Sequence, residues 1–268
     1  MESNLYLVPH DFTAVGDNAL RYAVSLSKQL HTEILLVHIV SDRSKAAAAE
    51  QKLLAIIDQQ DKSGSLEFSY RVETGSIFED IGKIATQEGA QLIVMGTHGA
   101  TGFQKLFGSH AMKVITSNNV PFLIVQENTV FEKINTIVVP IDLSNESLQI
   151  TNVAGDLAMM TGSDIHVVYE KISDMMLRRK MANSLSIVQK NYEDRGLTAN
   201  FHELSGAGSP HKLVINYAKE NNGGLIALAY HSDKLLPQFD TFAQTLITNK
   251  LNIPCVIINA KSASSAYF

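Results

Sequence analysis

Residues 96–109 are where residue type and spacing point most directly to chemistry. They read Gly96-Thr97-His98-Gly99-Ala100-Thr101-Gly102-Phe103-Gln104-Lys105-Leu106-Phe107-Gly108-Ser109. Glycine takes positive φ without strain and lets backbone amides come close to a ligand. Met95 and the apolar residues before it lead in as a strand. Ser109 has an N-cap side chain and opens an amphipathic stretch with Met112 and Ile115 inward. A helix start beside a glycine-lined turn offers unpaired N–H groups and partial positive charge, which suits phosphates. The same glycines would also serve a loop that merely turns tightly, and these residues alone leave both readings open. His98 either touches a phosphate or bonds backbone within the turn. His110 offers a backbone N–H beside Ser109. Upstream, Val8-Pro9-His10-Asp11-Phe12-Thr13 ends an apolar run in a carboxylate. Asp11 is either a ligand contact or a strand-end turn residue, and the glycine loop in the same half favours contact. His10 beside it lines that site or is solvated.

Other chemistries find less support. There is no G-x-x-x-x-G-K-[ST] run, and Gly206-Ala207-Gly208 lacks the third glycine of a dinucleotide fingerprint, His211 standing in its place. There is no G-x-S-x-G nucleophile elbow. The single cysteine, Cys255, sits in the apolar run Pro254–Ile258 and reads as a buried, inert thiol. The histidines form no H-x-x-x-H or H-E-x-x-H pattern, so no dedicated metal site is expected. Nothing supplies an obvious general base, so turnover is not expected.

The elements that must position these residues follow a regular rhythm. Short Val/Ile/Leu-rich runs (LYLV, ILLVHIV, LEFSYRV, QLIVMG, PFLIV) read as buried parallel strands. Helical patterns separate them: residues 15–30 place Ala19, Tyr22, Ala23, Leu26 and Leu30 on one face. Residues 46–60 group Leu53, Leu54 and Ile57, and residues 77–88 group Ile77, Ile81, Ile84 and Ala85. Such alternation predicts a parallel sheet with helices on both faces and ligands at the carboxyl ends of the strands. The pattern is written twice. Residues 5–13, LYLVPHDFT, reappear as TIVVPIDLS at 136–144, an offset of 131. QLIVMGTHG at 91–99 reappears as GLIALAYHS at 224–232, and three further blocks recur in the same order. Two domains, 1–128 and 132–260, follow. Residues 170–195 carry Met175, Met176, Met181 and the cluster Arg178-Arg179-Lys180, read as a helix with a buried Met/Leu face and a solvated charged one.

Composition sets the outer bounds. The chain has 268 residues, 45% hydrophobic and 18% charged, with a net charge of −5. That is globular composition, and it argues against a sequence-independent nucleic-acid binder. No apolar run reaches the roughly 18 residues of a membrane helix, and Met1–Thr13 does not resemble a secretory signal, so a cytoplasmic location is expected.

The early Asp and the glycine loop together resemble the universal stress protein family, and the likeness extends over both halves. The family's mark is an Asp after the first strand, then G-x2-G-x9-G-[ST] after the fourth. Asp11, Gly96, Gly99, Gly108 and Ser109 match it, with eight residues between Gly99 and Gly108 where the pattern has nine. The resemblance implies α/β architecture with two tandem Rossmann-like (adenine nucleotide alpha hydrolase-like) domains, each a five-stranded parallel sheet. It implies ATP bound by the first domain, with any Mg²⁺ arriving on its phosphates. Asp11 and the backbone at Ile39 would hold the adenosine part, and Gly96, Gly99, Gly108 and Ser109 the phosphates. Pro9, His10, Met95, His98, Gly102 and His110 would line the site. In the second copy Ala229, Ser232, Asp240 and Thr241 replace the glycines and serine, so it is expected not to bind nucleotide, though something uncharged would still fit. The implied role is an ATP-binding stress-response regulator with possible protein partners. The alternatives are a non-nucleotide scaffold and, less favoured, a slow ATPase. The last strands, at 121–126 and 254–259, pair across a dimer interface in the family; here they would pair within one chain or between two chains.

Overall fold

The computed structural model describes residues 4–60, 66–97, 115, 118–230 and 241–260. It divides into two compact units, Met1–Phe131 and Glu132–Phe268. The first unit contains β1 (Leu5–Pro9), α1 (Ala14–Leu30), β2 (Glu33–Val40), α2 (Ala46–Gln60), β3 (Phe68–Thr74), α3 (Ile77–Gln87), β4 (Leu92–Thr97) and β5 (Phe122–Gln126). Its strands are parallel in the order β3-β2-β1-β4-β5. The second unit contains β6 (Thr136–Pro140), α4 (Ile150–Thr161), β7 (Asp164–Glu170), α5 (Met175–Asp194), β8 (Ala199–Leu204), α6 (Pro210–Glu220), β9 (Leu225–Tyr230), α7 (Thr241–Ile247) and β10 (Cys255–Asn259). Its strands are parallel in the order β10-β9-β6-β7-β8.

Both orders have one reversal. The chain steps outward from β1 to β2 to β3, then returns past β1 to β4. Right-handed crossovers put α1 and α2 on one face and α3 on the other. The crevice at the switch point therefore opens between the carboxyl ends of β1 and β4, and in the second unit between those of β6 and β9.

Local sequence explains the elements that frame this crevice. Every residue of β1 is buried, as an apolar central strand requires. Thr13 caps α1, its side chain accepting from Gly16 N, and His31 ends the helix in the left-handed conformation at φ 54°. Gly162 ends α4 in the same way at φ 68°. Between these caps Ala19, Tyr22, Ala23 and Leu26 are buried.

Three expectations need correction. β3 is not a buried strand; all of its residues are half-buried or exposed, because it is the outermost strand on its side with only β2 beside it. Leu54 does not share the buried face of Leu53; it is 46% exposed, so α2 is held by a narrow stripe. On α5 the buried face is Met181, Ser184, Val188 and Tyr192, whereas Met175 and Met176 are exposed at the first turn. Cys255 is fully buried, and burial pushes its thiol pKa up, away from reactivity.

Candidate functional site

The first unit's crevice is built around the turn that leaves β1. Pro9 closes the strand opposite Val37 of β2. Asp11 follows, exposed, and its Oδ1 accepts from Thr13 N at 3.1 Å and Thr13 Oγ1 at 2.5 Å. This bonding fixes the carboxylate at the carboxyl end of β1 and at the same time orients the Thr13 cap of α1.

His10 is not solvated. Its side chain lies under the turn, where Phe12 N donates to Nδ1 at 3.0 Å. The neutral ring therefore carries its proton on Nε2, which donates to Asp17 Oδ1 at 3.1 Å. Burial holds the His10 pKa below its ordinary value, outweighing the nearby Asp17 and Asp11 carboxylates. His38 on β2 donates from Nδ1 to the His10 carbonyl at 2.6 Å, which ties β2 to the same turn. Phe12 takes φ 62°, a conformation that costs a bulky residue on the order of 1–3 kcal/mol. Its ring lies 4.2 Å from the His38 ring, and Lys52 of α2 stands 5.1 Å from its centroid. Ile39 is half-buried near the carboxyl end of β2, beside Glu73 of β3.

Two glycines allow close packing at this corner. A Cβ on Gly16 would stand 2.8 Å from Asp11 Oδ1. A Cβ on Gly96, near the end of β4, would stand 2.5 Å from Val15 O and 2.6 Å from Val15 Cγ1. The missing side chains let the first turn of α1 settle onto β4 while Asp11 keeps its place. Asn18 then fixes the helix, its Nδ2 donating to Gln126 O at 2.7 Å and Thr129 O at 2.9 Å.

The structure thus brings Pro9, His10, Asp11, Ile39, Met95 and Gly96 to the carboxyl ends of β1, β2 and β4. His98, Gly99, Gly102, Gly108, Ser109 and His110 lie outside the described residues. Sequence reasoning missed Gly16, Phe12 and Lys52. Gly16 had a signal, since glycine inside a helix costs about 1 kcal/mol against alanine and calls for a packing reason. The Phe12–Lys52 contact had none.

The second unit repeats the turn and changes the corner. Asp142 Oδ1 accepts from Ser144 N at 2.8 Å and from Ser144 Oγ, as Asp11 does from Thr13. Ser147 stands where Gly16 stands, and its hydroxyl donates to Ser144 O at 3.0 Å. Ala229 occupies the Gly96 position on β9. Here the chain forms a 3-10 turn at Glu146–Gln149 before α4 begins at Ile150. Among the described residues no cluster of three or more His, Cys, Asp or Glu is placed to hold a metal ion. No helix among them is long and apolar enough to cross a membrane.

Comparison with known proteins agrees with this geometry. Residues 6–126 match the model of the Universal stress protein family. Universal stress protein MJ0577 of Methanocaldococcus jannaschii is 25% identical over 150 residues, covering 45% of this chain and 93% of that protein. Universal stress protein MJ0531 of the same organism is 27% identical over 143 residues, covering 46% and 84%. The crystal structure of a universal stress protein from Archaeoglobus fulgidus superposes over 97% of this chain and 100% of its own, with TM-score 0.77 and 19% identity, a likeness of fold. Residues 6–126 therefore carry a domain that matches the universal stress protein family.

Proposed function

We propose that the chain is a tandem universal stress protein that binds ATP in its first unit and acts as a nucleotide-responsive regulator rather than an enzyme. The carrying observation is the turn at the switch point: Asp11 is held outward at the end of β1, where Gly16 and Gly96 let α1 pack closely against the turn and β4. A carboxylate fixed by its own turn is ready to accept from ribose hydroxyls without reorganising. The Phe12–His38 pair supplies an aromatic surface at the same strand ends, and Lys52 brings positive charge to it. The glycine loop that follows β4 would receive the phosphates. Ala229 and Ser147 stand where Gly96 and Gly16 stand, so the second unit lacks the close glycine packing of the first, which supports assigning nucleotide to the first unit only. Bound nucleotide would stabilise the native state by mass action, and so bias which partners the chain meets.

The test is titration calorimetry of nucleotide-stripped protein with Mg-ATP, with Gly108→Asp measured beside it. Binding at one site per chain, abolished by the substitution, is the expected result. Absence of heat and of any thermal shift with ATP would overturn the proposal. Phosphate release above buffer, lost in Gly108→Asp, would replace it with a slow ATPase.

A further inference from the structure

At the second unit's corner, Ser147 and Ala229 line a cavity of about 450 Å³, at the carboxyl ends of β6, β7 and β9 and beneath α5 and α6. That volume falls in the range of small-molecule sites, roughly 300–1,000 Å³. Val168, Leu204, Leu228, Met181, Val214 and Phe242 give it an apolar lining. The charged groups that line it are Asp142 and Glu170, both exposed at its rim; no Lys, Arg or His is among the described residues lining it.

We propose that this cavity binds a small molecule with an apolar body, a hydrogen-bond donor and no negative charge. Apolar surface leaving water for such a lining supplies the driving force. The two carboxylates accept from a hydroxyl, amide or amine at the mouth and disfavour an anion there. Several residues that distinguish this cavity from the first unit's crevice change in that sense. His10 and Asp17 correspond to Ile141 and Leu148, which removes two polar groups from the base of the turn, and His38 corresponds to Tyr169, which keeps a hydroxyl. Ile39 corresponds to Glu170, which adds an acceptor at the rim. The site is independent of the nucleotide reading, because it shares no residue with the first unit.

Two fluorescent dyes test the chemistry on the whole protein. N-phenylnaphthylamine is apolar and neutral with one N–H donor; anilinonaphthalenesulfonate has the same aryl groups and adds a sulfonate. Saturable binding of the neutral dye at one site per chain is expected, with the sulfonated dye at least tenfold weaker. Val214→Trp, and separately Leu143→Trp at the rim, should weaken the neutral dye at least tenfold while leaving ATP titration and circular dichroism unchanged. Glu170→Lys should narrow the gap between the dyes. Equal binding of the two dyes would overturn the proposal. So would a neutral-dye signal that survives both tryptophan variants, or one removed by Met175→Ser with Met176→Ser, which would place the dye on the exposed first turn of α5.

Discussion

The turn after β1 and the turn after β6 are the same device with different surroundings. Asp11 with Thr13 and Asp142 with Ser144 make the same side-chain-to-backbone bonds at the same place in the same topology. Beneath the first turn sits the hydrogen-bonded histidine His10, braced by Asp17 and by His38. Beneath the second, Ile141 and Leu148 offer no such bonds. Beside the first, Gly16 and Gly96 let α1 pack closely against the turn and β4; beside the second, Ser147 and Ala229 take their places and line a cavity. The fold thus fixes where a ligand can sit, and a few residues in each unit decide its chemistry. An aspartate at this turn is no evidence of nucleotide binding by itself, because it forms the turn in both units.

The strongest way to break the comparison is to write the second unit's residues into the first. Gly96→Ala forces a Cβ against the backbone of Val15, which a flexible side chain cannot relieve. The first turn of α1 must lift, at a cost of about 1–3 kcal/mol typical of overpacking. Together with Gly16→Ser, it should weaken ATP at least tenfold and shift thermal unfolding down. Full ATP affinity in the double variant would show that these glycines do not shape the site. The reciprocal pair, Ser147→Gly with Ala229→Gly, should not create ATP binding, since Glu170 still stands where the first unit has Ile39, and Asp240 where it has Gly108.

Asn18 gives the next effect. Asn18→Ala removes a buried side-chain donor from the Gln126 and Thr129 carbonyls, with Thr129 N still donating to Gln126 O, and should cost about 1 kcal/mol in denaturant unfolding. Its counterpart Gln149 has a buried Oε1 with no hydrogen-bond partner, so Gln149→Leu should be neutral or mildly stabilising. Similar losses at the two positions would mean that the helices are held alike, against the contrast drawn between the units.

Asp11 and Asp142 separate ligand contact from turn formation. Asp11→Ala and Asp142→Ala each remove one turn acceptor and should each destabilise by about 1 kcal/mol. ATP affinity should fall for Asp11→Ala alone. An equal effect of the two on ATP would return Asp11 to a purely structural role.

Much of this was legible from residue patterns. Alternating apolar runs and helical stripes gave the strand and helix order, because period and length separate buried strands from amphipathic helices. Asp11 and Gly96 were legible because both stand at strand ends, where turn chemistry restricts residue type. Burial within elements was less so. Met175 and Met176 are apolar yet exposed, since hydrophobic type does not fix which turn of a helix meets the sheet. Phe12 at positive φ left no trace, because nothing in its neighbours requires that conformation. The second unit's cavity was hidden for a related reason: apolar side chains around a space and apolar side chains in a packed core look alike in sequence.

The smallest predicted effect concerns pH. Folded His10 titrates below its ordinary value of 6.5, because burial disfavours the charged ring more than Asp17 and Asp11 favour it. Below pH 6.5 the unfolded chain therefore takes the proton first. Its contribution to stability is complete above that pH and declines as pH falls toward the depressed folded pKa. His166 in the second unit is also depressed, by burial and by His202, so the whole protein should lose stability in this range. His10→Ile, which installs the second unit's residue, removes only the first contribution. The variant should be less stable at pH 7.5, having lost the bonds to Phe12 and Asp17. The melting-temperature gap between it and the unaltered protein should narrow steadily between pH 6.5 and 5, with the His166 contribution cancelling. Parallel curves across that range would mean that His10 gains its proton as readily in the folded unit as in the unfolded chain, and the brace beneath the first turn would then resemble its apolar counterpart in the second.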